Sequence, residues 1–215
     1  MKRRSNEPLT AGGRELRLRS RPPASLPSLI TPWAKHEFHT LKSPKNCLDI
    51  GEHLKLFTLS EARLAELIRP TGYFNVKARR LRSFLRVLLE AHGGDLDRLF
   101  AGETSTVRER LLAINGIGPE TADSMLLYAG GHHSFVIDAY TKRIFHRHKW
   151  CAPETDYDDL KGLCESSLNP KPVAARLDYW QDYHAQLVMV GKHFCRPREP
   201  LCDQCPLQPL LPRQD

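Results

Sequence analysis

The chain has 215 residues, of which 40% are hydrophobic, and its net charge is +7 at pH 7. This length suits one large domain or two small ones, and the hydrophobic fraction is sufficient for a buried core. No apolar run approaches the roughly 18 to 20 residues of a membrane span, and the basic N-terminus lacks the apolar stretch of a secretory signal. We therefore expect no membrane partner and a cytoplasmic location, associated with the nucleoid in a bacterium. The surplus of positive charge suits a polyanionic partner.

Residues 1–57 form a divergent basic segment, rich in arginine, serine and proline, which we expect to be partly disordered. From Thr58 onward, apolar residues recur at helical spacing. The stretch TLSEARLAELI begins with Thr58 and Glu61, which we interpret as a capping box. The next helix, NVKARRLRSFLRVLLEAH, has one apolar face, and Gly93-Gly94 ends it.

Five further stretches have a helical pattern: STVRERLLAI, ETADSMLLYAG, AYTKRIFHRH, DYDDLKGLCESSL and ARLDYWQDYHAQLVMVGKHF. Strand-like alternation is nearly absent. The short apolar run SFVI at residues 134–137 opens a helix rather than a sheet. The sequence therefore predicts an all-α fold.

Two of these helices are joined by the short turn Asn115-Gly116-Ile117-Gly118. Its two glycines permit backbone conformations that a Cβ atom forbids, and Pro119 suits the first position of the following helix. Such a turn exposes backbone N–H groups at a helix start, which makes a site for an anion such as a DNA phosphate. The alternative is an ordinary αα-hairpin, whose glycines only make the bend.

The hairpin INGIGPETA is followed by FVID, which ends at Asp138, and then by a loop with the spacing C-x6-C-x2-C. Together with GYFNVKARRL, these motifs resemble the helix-hairpin-helix (HhH-GPD) DNA glycosylases of the endonuclease III type, over about residues 58–211. The resemblance implies two helical lobes, with the hairpin in residues 58–134 and the cysteine loop in residues 135–215. It places Asp138 in the cleft between them.

The resemblance implies a monomeric base-excision repair enzyme, which flips a damaged base out of double-stranded DNA and cleaves its N-glycosidic bond. Asp138 would stabilise the oxocarbenium-like sugar and activate water. A plain helix N-cap is the alternative for this aspartate, and the two roles are compatible. Tyr140 is implied in the base pocket, and we interpret His184 as a structural histidine. The implied DNA contacts are Asn115, Gly116, Ile117, Gly118, Thr121 and Lys142.

Glu120 departs from the family pattern, because the bifunctional members have a lysine at this position. That lysine forms a Schiff base and then nicks the strand, which a carboxylate cannot do. The motif GIGPETA more closely resembles that of relatives that act on alkylated or mismatched bases, including 3-methyladenine glycosylases. We therefore expect a monofunctional glycosylase. The alternatives are a non-enzymatic binder of damaged or abasic DNA, and a bifunctional lyase on oxidised pyrimidines with Lys142 as a substitute amine.

The family's cysteine loop has the spacing C-x6-C-x2-C-x5-C and holds a [4Fe–4S] cluster. This chain has three of the four ligands, Cys195, Cys202 and Cys205, and Leu211 stands at the fourth position. Three alternatives remain open. A cluster has another fourth ligand such as Asp215 or His193, the loop is held by packing alone, or the site takes zinc.

Overall fold

The structure is a computed structural model that describes residues 10–11, 14–15, 50–71, 73–169 and 172–212. Most of the predicted basic segment lies outside these ranges. Within them, the chain forms α1 (Ile50–Thr58), α2 (Glu61–Leu67), α3 (Phe74–His92), α4 (Leu96–Phe100), α5 (Thr104–Leu112), α6 (Pro119–Tyr128), α7 (Ala139–Arg147), α8 (Tyr157–Ser167) and α9 (Val173–His193). Single 3-10 turns occupy Arg69–Thr71, Cys202–Gln204 and Gln208–Leu210.

The predicted all-α class is confirmed. The strands of the described ranges are β1 (Thr10–Ala11) and β2 (Arg14–Glu15), which pair antiparallel with Thr10 opposite Glu15. In the parts of the chain that the structure describes, no helix combines the length and the apolar character needed to cross a lipid bilayer.

From α1 onward, the chain divides into two compact units: the described residues up to Ser134 form the first unit, and those from Phe135 onward form the second. The core of the first unit contains apolar side chains from α3 to α6, and Leu88, Leu111 and Leu126 are completely buried in it. Burying one such leucine stabilises the fold by about 1.5–3 kcal/mol. This core fixes the hairpin helices, α5 and α6, against α3 and α4.

Helix α3 has the amphipathic pattern that the sequence predicts. Leu85 and Leu88 are buried, whereas most of its arginines are exposed. Arg82 is an exception, because its guanidinium donates to the backbone carbonyl of Leu59. Gly93 ends the helix with φ of +65°, a left-handed conformation in which glycine has no steric penalty.

The start of α2 differs from the predicted capping box. Ser60 is the N-cap, and its hydroxyl accepts a hydrogen bond from the amide of Arg63 at 3.2 Å. Thr58 instead ends α1, where its hydroxyl donates to the carbonyl of Lys55 at 2.8 Å. The prediction was wrong because α1 extends to the residue chosen as the cap, and a serine stands directly before the next helix.

The second unit has an aromatic core. The ring of Phe135 packs edge-on against Trp180 and Tyr183, with centroids 6.0 Å apart in each pair. Phe145 packs edge-on against Trp150 at 5.3 Å. The buried segment before α7 belongs to no strand, as the sequence predicted for SFVI. It therefore delivers Asp138 to the first turn of α7 from within the core.

Candidate active site

The hairpin turn is closed by its own backbone. The amide of Ile117 donates to the carbonyl of Ile114 at 3.0 Å, and both side chains belong to the core of the first unit. Gly116 has φ of +91°, which favours glycine. Gly118 has φ of −96° and ψ of 176°, which any residue adopts. We predicted that both glycines adopt backbone conformations that a Cβ atom forbids. This prediction is right for Gly116 and wrong for Gly118.

Gly116 also permits a close approach between the turn and α3. A Cβ atom at Gly116 would lie 2.3 Å from Cγ of Arg80, so the arginine side chain runs directly across the turn. Arg80 itself is exposed. A basic residue therefore lies against the hairpin. The motif of the hairpin does not predict this contact, because Arg80 and Gly116 are far apart in the chain.

The residues at the start of α6 are exposed. Its N-cap, Gly118, provides no side-chain hydrogen bond, and Pro119 holds the first position. A Cβ atom at Gly118 would meet nothing within 4 Å, and Glu120 and Thr121 are exposed. Amides at a helix start, together with the helix dipole, suit a phosphate group. Asn115, also exposed, lies in the turn that precedes them.

A buried ion pair lies behind the hairpin. Arg108 on α5 donates through Nε and Nη2 to the two carboxylate oxygens of Asp123 on α6, at 2.9 and 3.2 Å. The hydroxyl of Ser134 donates to the same carboxylate at 2.6 Å. The side chain of Asp123 is fully buried, so this bidentate contact fixes α5 relative to α6. In the sequence, the only signal of this pair is an acidic residue within the apolar stretch TADSMLL.

Asp138 is the N-cap of α7. Its Oδ1 accepts a hydrogen bond from the amide of Thr141 at 2.7 Å, and its side chain is 12% exposed. The segment before it is anchored to α8, because the amide of Phe135 donates to Oε1 of Glu165 at 2.9 Å. The helix dipole stabilises a carboxylate at this position. The capping role that the sequence offered for Asp138 is therefore present, and it leaves Oδ2 outside the cap.

The second oxygen of Asp138 faces a histidine that the sequence analysis had considered structural. Nε2 of His184, on α9, lies 3.7 Å from Oδ2. Burial lowers the pKa of His184 from its ordinary value of 6.5, while the charge of Asp138 acts in the opposite direction. Because burial is the larger effect, it favours the neutral form of the imidazole. The available signal was a histidine within the apolar stretch HAQLVMV.

Tyr140 and Lys142 follow Asp138 on α7 and have different surroundings. The ring of Tyr140 packs so closely on Gly191 of α9 that a Cβ atom there would lie 2.4 Å from it. The guanidinium of Arg143 lies over the same ring, 5.1 Å from its centroid. Lys142 is exposed, and its amine lies 5.8 Å from the ring centroid of Tyr157. Tyr140 as a pocket residue and Lys142 as a DNA contact stay predictions.

The cysteine loop is attached to α7 by arginine and histidine side chains. Arg143 donates to the carbonyls of Cys195 and Gly191, at 2.6 and 3.1 Å. Nη1 of Arg147 donates to Sγ of Cys195 at 3.1 Å. At the other end of the loop, Nδ1 of His148 lies 3.2 Å from the carbonyl oxygen of Leu210. These contacts hold the loop through three backbone carbonyls and the thiol of Cys195.

The three thiols do not make a metal site in this arrangement. Cys195 is buried, whereas Cys202 and Cys205 are half-buried, and burial raises the pKa of Cys205. Across the described ranges, no three histidine, cysteine or acidic side chains are grouped so that they could hold a metal ion. Leu211, half-buried, offers no ligand atom at the fourth position. The donor set therefore does not fit a four-ligand cluster, and Asp215 lies outside the described residues.

Comparison with known proteins defines the class to which this fold and site belong. The family model described as "HhH-GPD superfamily base excision DNA repair protein" matches residues 52–170. The chain belongs to this superfamily. The resemblance to the endonuclease III type, which the sequence motifs indicated, is confirmed.

Individual relatives are similar over much of the chain. A protein of Methanocaldococcus jannaschii that is assigned as a DNA repair glycosylase is 42% identical over 161 residues, which cover 74% of this chain and 70% of the relative. Endonuclease III of Thermotoga maritima is 29% identical over 143 residues, which cover 66% of this chain and 59% of the relative. The chain thus spans less than two thirds of that endonuclease.

Solved structures share the helical fold. An endonuclease III in a non-covalent complex with DNA has a TM-score of 0.59 at 19% identity, covering 90% of this chain and 85% of that one. The 3-methyladenine DNA glycosylase of H. pylori, bound to 1,N6-ethenoadenine, has a TM-score of 0.56 at 25% identity, covering 79% and 83%. At 19% identity, the match to the endonuclease III structure shows a shared fold and nothing further.

Proposed function

We propose that this protein is a monofunctional DNA N-glycosylase, which hydrolyses the bond between a damaged base and its sugar in double-stranded DNA. The observation that carries the proposal is the carboxylate of Asp138, whose side chain is 12% exposed and which has one oxygen fixed by the Thr141 amide. A fixed charge in a place that excludes most water is effective against positive charge that develops on a sugar.

In the proposed reaction, the base is first flipped out of the stack. The bond between C1′ and the base nitrogen then breaks, and its electron pair leaves with the base. Asp138 stabilises the oxocarbenium character of C1′ and accepts a proton from the attacking water, whose oxygen bonds to C1′. The proton finally passes to the base, so the products are a free base and an abasic site. No step requires a metal ion.

The hairpin would hold the DNA through its backbone. The amides at the start of α6, a helix start with no side-chain cap among exposed residues, suit a phosphate, and Arg80 lies across the same turn. Phosphate contacts position a protein on DNA but do not read its sequence. The net charge of +7 is consistent with such binding. Exposed Lys192, Arg196 and Arg198, at and after the end of α9, would add further backbone contacts from the cysteine loop.

The substrate class is tested by incubating the protein with duplexes that each contain one alkylated, oxidised or deaminated base. Alkylated and etheno purines come first in this panel, because the H. pylori neighbour was solved with 1,N6-ethenoadenine. Release of a base without strand cleavage is the expected result. Tight binding without release would favour a non-enzymatic binder, and release with cleavage at the abasic site would favour a bifunctional lyase.

Glu120 makes the absence of lyase activity testable. Its carboxylate stands in the first turn of α6, where a Schiff-base amine would be required. We expect no borohydride-trapped adduct with the wild type, and a trapped adduct with nicking of abasic DNA by Glu120→Lys. Glu120→Gln is the matched control, because it removes the charge without adding an amine. Strong trapping of the wild type would contradict the monofunctional proposal and direct attention to Lys142.

A further inference from the structure

Asp138 and His184 form a buried pair within the second unit. Oδ2 of Asp138 and Nε2 of His184 are 3.7 Å apart, and the two side chains are 12% and 10% exposed. This separation exceeds a normal hydrogen bond but is within ion-pair distance once the imidazole is protonated. The ring of Phe135 packs edge-on against the imidazole, with centroids 6.3 Å apart. The histidine is therefore fixed in an apolar setting beside the carboxylate.

The two oxygens of Asp138 have different neighbours. Oδ1 is bound by the amide of Thr141 at 2.7 Å, whereas Oδ2 faces the histidine. The N-cap bond alone leaves the carboxylate free to turn about the bond that carries it. A rigid ring beside Oδ2 restricts this rotation, and a restricted carboxylate keeps its geometry when the substrate arrives.

Several other charged groups near this pair are bound elsewhere. On α7, Arg143 donates to the carbonyl of Cys195, and the amine of Lys142 lies over the ring of Tyr157. On α8, Glu165 accepts from the amide of Phe135 and pairs with Lys161. Asp138 is the charge that acts on the ionisation of His184.

We propose that His184 is a positioning residue for Asp138, which as a neutral imidazole fixes the carboxylate while leaving its negative charge intact, and which on protonation neutralises that charge and stops base release. The inference rests on the proposed glycosylase function, since it assigns His184 a task in that reaction. It goes further by making the histidine responsible for the loss of activity in acid.

The first test compares the pH dependence of base release in single-turnover experiments. Wild-type activity should fall at a pH below the ordinary imidazole pKa of about 6.5, because burial lowers the pKa of His184. In His184→Gln, the acid limb should move to lower pH, because no imidazole remains beside the carboxylate to take up a proton. The rate at pH 7.5 should fall about 3- to 10-fold, because the amide is a less rigid support. An acid limb that stays in place would overturn the proposal.

The matched control is His148→Gln. His148 is also a buried histidine whose pKa burial lowers, but its Nδ1 lies against the carbonyl of Leu210 rather than a carboxylate. Its replacement should leave the acid limb of base release unchanged. A shift as large as that of His184→Gln would mean that acid acts through the fold of the unit, and would contradict the assignment to His184.

A second test does not require a substrate. NMR titration of the His184 ring in the wild type and in Asp138→Asn reads the pairing directly. Asp138 raises the pKa of His184 against the effect of burial, so Asp138→Asn should lower that pKa further. An unchanged value would overturn the proposal, whether or not any base is released. Failure of the glycosylase function would be seen separately, as no release by the wild type from any duplex.

Discussion

The hairpin turn and the Asp138 site are built in opposite ways. The hairpin is a contiguous run of backbone, exposed at Asn115 and Gly118, and its groups for binding are amides. The Asp138 site consists of buried side chains that come from α7 and α9. A backbone site is encoded by residues that follow one another, so a short motif predicts it. A side-chain site depends on packing between distant segments, so the motif predicts only one member.

The largest effect should come from Asp138→Asn, which changes the chemistry and keeps the cap. Asparagine can still accept the bond from the Thr141 amide, but it has no charge to stabilise C1′. Single-turnover base release should fall about 10³-fold, while the affinity for DNA stays within a few-fold. Asp156→Asn is the control, because Asp156 caps α8 in the same way, with the Asp159 amide at 2.8 Å. Retained turnover would remove Asp138 from the mechanism.

The ion pair between Arg108 and the buried Asp123, which joins the two helices of the hairpin, predicts a large effect on stability. Asp123→Asn leaves the guanidinium of Arg108 without its charge partner, where the Asp123 side chain is fully buried. Urea unfolding should show a loss of about 3 kcal/mol. Glu66→Gln is the control, because its pair with Arg63 is about 60% exposed on both sides and should contribute less than about 0.5 kcal/mol. Equal losses would mean that the buried pair is not what fixes the hairpin.

The difference between a contiguous backbone site and a site built from distant side chains also explains which features the sequence could predict. Helical periodicity and the glycine motif were sufficient for the all-α class and for the position of the hairpin. The capping box failed by two residues, because Thr58 and Ser60 are both good caps and only the length of α1 decides between them. The contact of His184 with Asp138 joins two segments with no shared motif. It depends on how α9 packs against α7, which the pattern of neither helix specifies.

Substitutions of the two hairpin glycines should affect different properties: that of Gly116 the stability of the fold, and that of Gly118 the binding of DNA. Gly116→Ala places a methyl group against Arg80 and at φ of +91°, so it should lower stability by about 1–2 kcal/mol. Gly118→Ala has an ordinary φ and open space around it, so the fold should change by less than about 0.5 kcal/mol. The methyl group at Gly118 should nevertheless weaken binding to all DNA sequences equally. Altered base preference in Gly118→Ala would contradict a phosphate contact.

The smallest effect concerns how stability depends on pH in the Asp138 unit. Burial lowers the pKa values of His184 and His148 from 6.5, so the unfolded chain binds protons more readily than the folded one. The free energy of unfolding is therefore highest above pH 6.5, and it decreases as the pH falls from 6.5 to the lowered pKa values of the folded state. Urea midpoints at pH 7.5 and 5.5 should show this decrease in the wild type. His184→Gln and His148→Gln should each remove part of it. Asp138→Asn should enlarge it, because the charge that favours the protonated imidazole is lost. A decrease that neither histidine variant changes would show that other groups control stability in acid. The buried Asp138 site would then not couple folding to proton binding, and in this respect it would not differ from the hairpin.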